Sequence, residues 1–287
     1  MDPARRTLTH PETLMTRFAA LLLVLVASPA FAADPDWVEP MKKVHAKFTG
    51  TPGTFALFGD SITVSLGFWA PLEYAPRNLG GDLGQSLQVV KGYMKDDSWR
   101  KWRGAEYGND GGKTIVWADE HLDEWLKKLN PEVAVLMFGT NDLNQVDDKQ
   151  YEAKTWAVVE RCLKNGTIVL LTTIPPRSAQ VEKAKRFAEI QRKIAADLHV
   201  PLIDYQAEIL KRRPNDWDGS LPKFAEYAKD GYNVPTLIAG DGVHPSNPKK
   251  YQDYSEESLS ANGYQLRNVL TVKAYAEAIR FVLKPAK

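Results

Sequence analysis

Four short apolar runs, Phe55–Phe58, Val133–Phe138, Ile168–Leu171 and Val200–Ile203, punctuate the chain and are bounded by Gly, Pro, Asn or Asp. Unbroken apolar character over so few residues fits strands buried on both faces. Between the runs lie segments with helical periodicity. In 118–129, Leu122, Trp125, Leu126 and Leu129 fall at i, i+3, i+4 and i+7, and Asn130-Pro131 stops the helix. Segments 149–164, 178–198 and 266–283 are likewise amphipathic. Strands alternating with helices of this length predict an α/β domain, a parallel sheet covered by helices on both faces.

Two stretches break this rhythm. Residues 67–107 hold several Gly and Pro and the run Trp99-Arg100-Lys101-Trp102-Arg103, with Leu87–Val90 or the residues just before Gly108 as weak strand candidates. Residues 205–262 contain the turn Arg212–Trp217 and a polar, Tyr-rich run through Tyr251 and Tyr254. Long irregular segments in a compact domain are commonly functional loops or lids, so both are expected to flank the site. The three basic residues of 99–103 are expected to be a solvated patch rather than a platform for nucleic acid.

The N-terminus reads as an export signal. Arg17 precedes the apolar run Phe18–Ala27, and Ala30-Phe31-Ala32 supplies an A-x-A cleavage site. Ten apolar residues fall short of the roughly 20 that span a membrane. The expectation is a signal peptide over 1–32, with 1–14 upstream of the true start at Met15, followed by a single domain over 33–287 that is secreted or periplasmic without stable membrane insertion. The chain carries 37 Lys+Arg against 36 Asp+Glu and one cysteine. Such a balance gives no electrostatic footprint for nucleic acid. One cysteine forms no internal disulfide and no Cys-based zinc site, so stability has to come from a packed core.

Four motifs fall at strand ends or in the loops after them: Gly59-Asp60-Ser61-Ile62-Thr63, Gly108-Asn109-Asp110-Gly111-Gly112-Lys113-Thr114, Gly139-Thr140-Asn141-Asp142 and Asp241-Gly242-Val243-His244-Pro245. In an open parallel sheet, ligands bind beyond the carboxyl ends of the strands, where all four can converge. Serine needs an adjacent base to act as a nucleophile. His244 is the best candidate, and Asp241, three residues before it, can hold the imidazole in the required tautomer.

Taken together and in this order, Gly-Asp-Ser, a Gly-rich second block, Gly-x-Asn-Asp and Asp-x-x-His-Pro resemble the SGNH/GDSL hydrolases, over residues 59–245. The resemblance implies a flavodoxin-like three-layer α/β/α sandwich around a parallel sheet of about five strands, and serine esterase activity with no metal and no cofactor. It makes Ser61 the nucleophile, His244 the general base and then acid, and Asp241 the orienting carboxylate. Its oxyanion hole would use the Ser61 N–H, an N–H from Gly112 (or Gly111) and the Asn141 amide. Gly-Lys-Thr stands where the family usually has Gly-Asp-Thr, and the asparagine that often precedes the block's glycine is missing.

Other residues have plainer readings. Asp60 and Asp142 are expected to hydrogen-bond within their own loops. His45, His121 and His199 lie in or at the ends of helices without a matching partner, and Cys162 is expected to be a small buried hydrophobe. Asn165-Gly166-Thr167 fits a glycosylation sequon but sits at a helix-to-strand turn, where Asn-Gly is ordinary turn chemistry. About sixteen residues, 247–262, separate His244-Pro245-Ser246 from the last helix. With segment 67–107 they are expected to shape an acyl or sugar pocket, with Trp217, Tyr251 and Tyr254 as candidate lining residues.

The expected partner is a small-molecule or glycan ester, with short acyl groups on a carbohydrate favoured and lipase, lysophospholipase or thioesterase activity as the alternative. Two remoter readings are a non-catalytic glycan-binding protein and a P-loop nucleotide binder. Against the first stand intact Ser61, Asp241 and His244. Against the second, a Walker A loop needs four residues between its first glycine and Gly-Lys, whereas three separate Gly108 from Gly112 and position 107 is tyrosine.

Overall fold

The computed structural model describes residues 34–284 apart from Ala75, all within one compact unit, Asp34–Lys287. The expected signal peptide over 1–32 lies outside the described residues. Strands β1 (Phe55–Gly59), β2 (Val133–Met137), β3 (Ile168–Thr172) and β4 (Leu202–Ile203) form one sheet in the order β1-β2-β3-β4, parallel throughout. Phe55 is in register with Val133, Val133 with Ile168 and Leu171 with Leu202. Every residue of β1, β2 and β3 is buried, as the unbroken apolar runs require.

Among the described residues there are ten α-helices, in chain order α1 (Val38–His45), α2 (Ser61–Val64), α3 (Gly81–Tyr93), α4 (Asp97–Arg100), α5 (Ile115–Leu129), α6 (Asp148–Lys164), α7 (Val181–Leu198), α8 (Tyr205–Arg212), α9 (Glu256–Leu259) and α10 (Gly263–Ala278). Helices α5, α6 and α7 pack side by side, while α10 packs with α3 and α8. Helix α6 keeps its expected bounds to within a residue and α5 starts three residues before its periodic stretch, each where a cap sets the start: Thr114 accepts from Trp117 N and Asp147 from Gln150 N.

The sheet has four strands rather than about five. Beyond β1, where the fifth would stand, a single parallel bridge joins Gly59 to Asn109. The residues before Gly108 form a 3-10 turn, Ala105–Tyr107, and Leu87–Val90 belongs to α3. Other groups satisfy the exposed edge of β1 instead. Ser98 Oγ accepts from Phe55 N at 3.0 Å, Asn109 Nδ2 donates to Leu57 O at 2.8 Å, and Gly59 N donates to Gly108 O at 3.0 Å. With those backbone groups paired, the edge has little left to offer a fifth strand.

Segment 67–107 is therefore less irregular than its glycines suggest, since α3 buries Leu83, Leu87 and Val90 along one side. Trp99 is buried and stacks on Trp69, with ring centroids 5.3 Å apart. The last helix starts at Gly263, directly after residues 247–262 as expected, runs on into a π-helical turn, Ile279–Leu283, and is buried on most sides rather than amphipathic. Loop 67–69 closes over it, with Asn268 Oδ1 accepting from Trp69 N at 2.7 Å and Asn268 Nδ2 donating to Gly67 O at 3.1 Å. Cys162 is buried, and burial pushes its thiol up to about 12.

Candidate active site

The chain leaves β1 at Gly59 and turns at once into the single helical turn α2. A side chain at Gly59 would collide with Thr63 and the Met137 carbonyl, so this close approach requires glycine. Asp60 caps the turn by accepting from Ile62 N at 3.0 Å. Ser61 is thereby presented as the first residue of α2.

From the far end of the chain, the loop Asp241–His244 brings the histidine to it. Ser61 Oγ lies 2.9 Å from His244 Nε2, and His244 Nδ1 lies 2.6 Å from Asp241 Oδ2. The other oxygen of Asp241 accepts from Val243 N at 2.9 Å and His244 N at 3.0 Å. Burial pushes this carboxyl up, but the hydrogen bonds from the His244 ring and the two backbone N–H groups outweigh it and hold Asp241 below the usual carboxylate range. An ionised Asp241 accepts the Nδ1 proton, which leaves the Nε2 lone pair facing Ser61 Oγ. Gly242 makes the tight loop possible with φ +69°, and a side chain there would strike Ser178. Ser178 N in turn donates to Gly242 O at 2.9 Å and its hydroxyl to Asp218, so the loop is braced from outside.

Asn141, in the turn after β2, sits between the first two blocks. Its Nδ2 donates to Lys113 O at 2.9 Å and has a long 3.5 Å contact to Asp60 Oδ2. The two candidate glycines of the second block differ: Gly111 N is taken by Asp110 Oδ1 at 2.8 Å, whereas among the described residues no acceptor is within reach of Gly112 N or Ser61 N.

Asp142 does more than close its own loop. Its Oδ1 accepts from Ile115 N, the first residue of α5, at 2.9 Å, which ties the third block to the second. Its Oδ2 is buried without a partner. Burial pushes Asp142 up to about 7 and the neighbouring Asp60 up to about 6. Because the folded state binds this proton more tightly than the unfolded chain, the stability it contributes is complete below about 3.8 and is lost as pH rises towards 7. Asp142→Asn keeps an acceptor for Ile115 N and removes the titration. In urea denaturation between pH 4.5 and 8, the wild type is expected to lose stability relative to this variant as pH rises. A constant difference across that range would show that the carboxyl ionises normally in the fold.

Two arginines hold the far end of α2, and neither was legible as a site residue. Arg267 on α10 is fully buried, donates to Ile62 O at 2.9 Å and Thr63 Oγ1 at 3.0 Å, and lies 3.7 Å over the Phe68 ring. Arg103 donates to the carbonyls of Thr63, Val64, Ser65 and Phe68 at 2.8–3.1 Å. Cations favour the carbonyl end of a helix, so Arg103 is a clamp on the Ser61 turn and not part of a solvated patch. Isolated arginines carry no sequence signal for this role. His45 also has a partner, Glu132 Oε1 at 2.8 Å, far from the triad in a cluster with Tyr93.

A cavity of about 390 Å³ adjoins the Asp241–His244 loop, lined by Asp241, Tyr232, Tyr227, Phe224 and other residues of 219–240. The ring of Tyr232 is centred 5.9 Å from that of His244. Segment 205–262 thus flanks the site, but through residues other than those expected. Trp217 packs half-buried against the core, and Tyr254 is 4% exposed. Tyr251 lines a separate depression of about 350 Å³ shared with Tyr227. Among the described residues no helix is long and apolar enough to cross a membrane.

Comparison with curated protein sequences gives no match. Among solved structures, the chain is similar to a protein of Desulfitobacterium hafniense DCB-2 described as lipolytic and of the G-D-S-L family, at 17% identity over 77% of this chain and 99% of that one, with a TM-score of 0.50. It is also similar to LAE5, an alpha/beta hydrolase from the metagenome of Lake Arreo, Spain (17% identity, 79% and 97% coverage, TM-score 0.48), and to Axe2, an acetylxylan esterase of Geobacillus stearothermophilus (16%, 82% and 96%, TM-score 0.44). The model of the GDSL-like lipase/acylhydrolase family matches residues 57–248, more than half of the chain and all four motifs. The chain belongs to the GDSL-like lipase/acylhydrolase family and is a serine hydrolase acting on ester bonds.

Proposed function

We propose that this protein is an exported esterase that removes short acyl groups, acetyl foremost, from carbohydrate esters through a Ser61-His244-Asp241 triad. The observation that carries the catalytic part is the unbroken chain from Ser61 Oγ through His244 to Asp241, at 2.9 and 2.6 Å. Ser61 Oγ attacks the ester carbonyl as His244 Nε2 takes its proton, and Asp241 stabilises the imidazolium. Negative charge then builds on the carbonyl oxygen. The Ser61 N–H, the Gly112 N–H and Asn141 Nδ2 are the donors for it, with Gly112 preferred to Gly111 because Asp110 already occupies the latter. His244 returns the proton to the departing alcohol. Water, deprotonated by the same base, then releases the acid from acyl-Ser61.

Export rests on the sequence from Arg17 to Ala32, and export is what would place the enzyme among polysaccharides. The substrate range is tested by a series of nitrophenyl esters from acetyl to palmitoyl. The expected kcat/KM is highest for acetyl and falls with chain length. A maximum at long chains would replace this reading with a lipase or lysophospholipase.

A further inference from the structure

An ester undergoing hydrolysis is divided about Ser61 Oγ. Its carbonyl oxygen turns towards the donors on Gly112 and Asn141, whereas its alcohol oxygen has to reach His244 Nε2 to collect a proton as it leaves. The alcohol therefore departs on the histidine side. What the protein presents beside His244 is the ring of Tyr232, which with Asp241 lines the adjoining cavity of about 390 Å³.

Tyr232 is built for contact. Its ring is tilted 40° to the His244 imidazole at 5.9 Å, and the residue is 44% exposed. Its backbone is nevertheless pinned on both sides of the triad loop, because Gly240 N donates to Gly231 O at 2.9 Å and Asn247 N donates to Tyr232 O at 2.8 Å. An exposed ring on a fixed backbone loses little freedom when a ligand covers it. Half-burial, and then the charge of Asp241, keep its phenol protonated.

We propose that segment 219–232 is the subsite for the alcohol moiety, that Tyr232 is its platform, and that the alcohol is a hydroxylated ring, a sugar residue. This rests on the esterase reading of Ser61 and His244. The walls match such a ring in both its aspects. Phe224, Tyr227 and Tyr232 offer aromatic surface to a C–H face, while the Tyr227 hydroxyl and the carbonyl oxygens of Gly219 and Gly240 are left to meet hydroxyls, the Ser220 hydroxyl and the N–H groups of both glycines being spent on Asp218, Ile238 and Gly231. An alkyl alcohol would satisfy the first and leave the second unpaired, at a cost.

The test compares two acetyl esters that differ in their alcohol, 6-O-acetylglucose, which keeps its other hydroxyls, and methyl acetate. Tyr232→Ala is expected to lower kcat/KM on the sugar ester about five- to tenfold more than on methyl acetate, and Tyr232→Phe to keep most of the difference. Ala225→Trp, which fills the cavity from its exposed wall, is expected to act in the same direction. Independently of turnover, saturation-transfer NMR is expected to show cellobiose contacting Ser61→Ala and to lose that contact when Tyr232→Ala is added. Equal losses on the two esters, or cellobiose contact unchanged by both Tyr232→Ala and Ala225→Trp, would overturn the subsite. No turnover of either ester by the wild type would instead overturn the esterase reading, and the cellobiose measurement would still decide the subsite.

Discussion

Ser61→Ala is expected to lower kcat by about 10⁴- to 10⁶-fold and to abolish covalent labelling by a fluorophosphonate. Among the described residues the serine hydroxyl, 2.9 Å from His244 Nε2, is the only group there that can attack and then carry the acyl group. Without it, His244 and the oxyanion donors remain, and they support only slow attack by water. The fold should tolerate the change. Ser61 is partly exposed and its backbone place is set by Gly59, Asp60 and the arginines behind α2, so the melting temperature is expected to move little. Labelling that persists in Ser61→Ala, or activity within tenfold of wild type, would remove Ser61 as the nucleophile.

Asn141→Ala is expected to lower kcat by about 10²- to 10³-fold with KM little changed. One N–H of its amide is spent on Lys113 O at 2.9 Å, which fixes the amide plane. The other has only the 3.5 Å contact to Asp60 and is left to meet charge that forms in the transition state. An interaction made only there lowers kcat and kcat/KM together. A purely structural role would instead show as lower stability, with full activity per folded molecule. Measuring kcat and KM beside a denaturation curve separates the two.

Much of this architecture was legible because it rests on local pattern. The runs Phe55–Phe58, Val133–Phe138 and Ile168–Leu171 became buried strands, since a strand covered on both faces admits apolar side chains at every position. Helices over 118–129 and 149–164 were legible because their apolar period repeats within one element. The motif residues were legible for another reason, that a tight turn and a hydrogen-bonded Ser, His and Asp set demand particular residue types within short motifs.

What failed to show depended on distant partners. Helix α3 hid behind Gly81, Gly84 and Gly92, glycines that weaken a helix in isolation but are tolerated where Leu83, Leu87 and Val90 bury against the core. Arg103 and Arg267 acquire their roles only when chain segments about 40 and 205 residues apart meet at α2. The lining residues Tyr227 and Tyr232 looked no different from Tyr251 and Tyr254, and the backbone bonds from Gly240 and Asn247 chose between them.

From residue order alone, then, came the α/β class, the strands and the identity of the chemical groups, since these follow from side-chain period and from reactivity. Only the tertiary structure decided that the sheet stops at four strands, which arginines hold the Ser61 turn and which aromatic ring faces His244. Each of those depends on which buried donors and acceptors find partners across long stretches of chain, and a linear pattern does not carry that pairing.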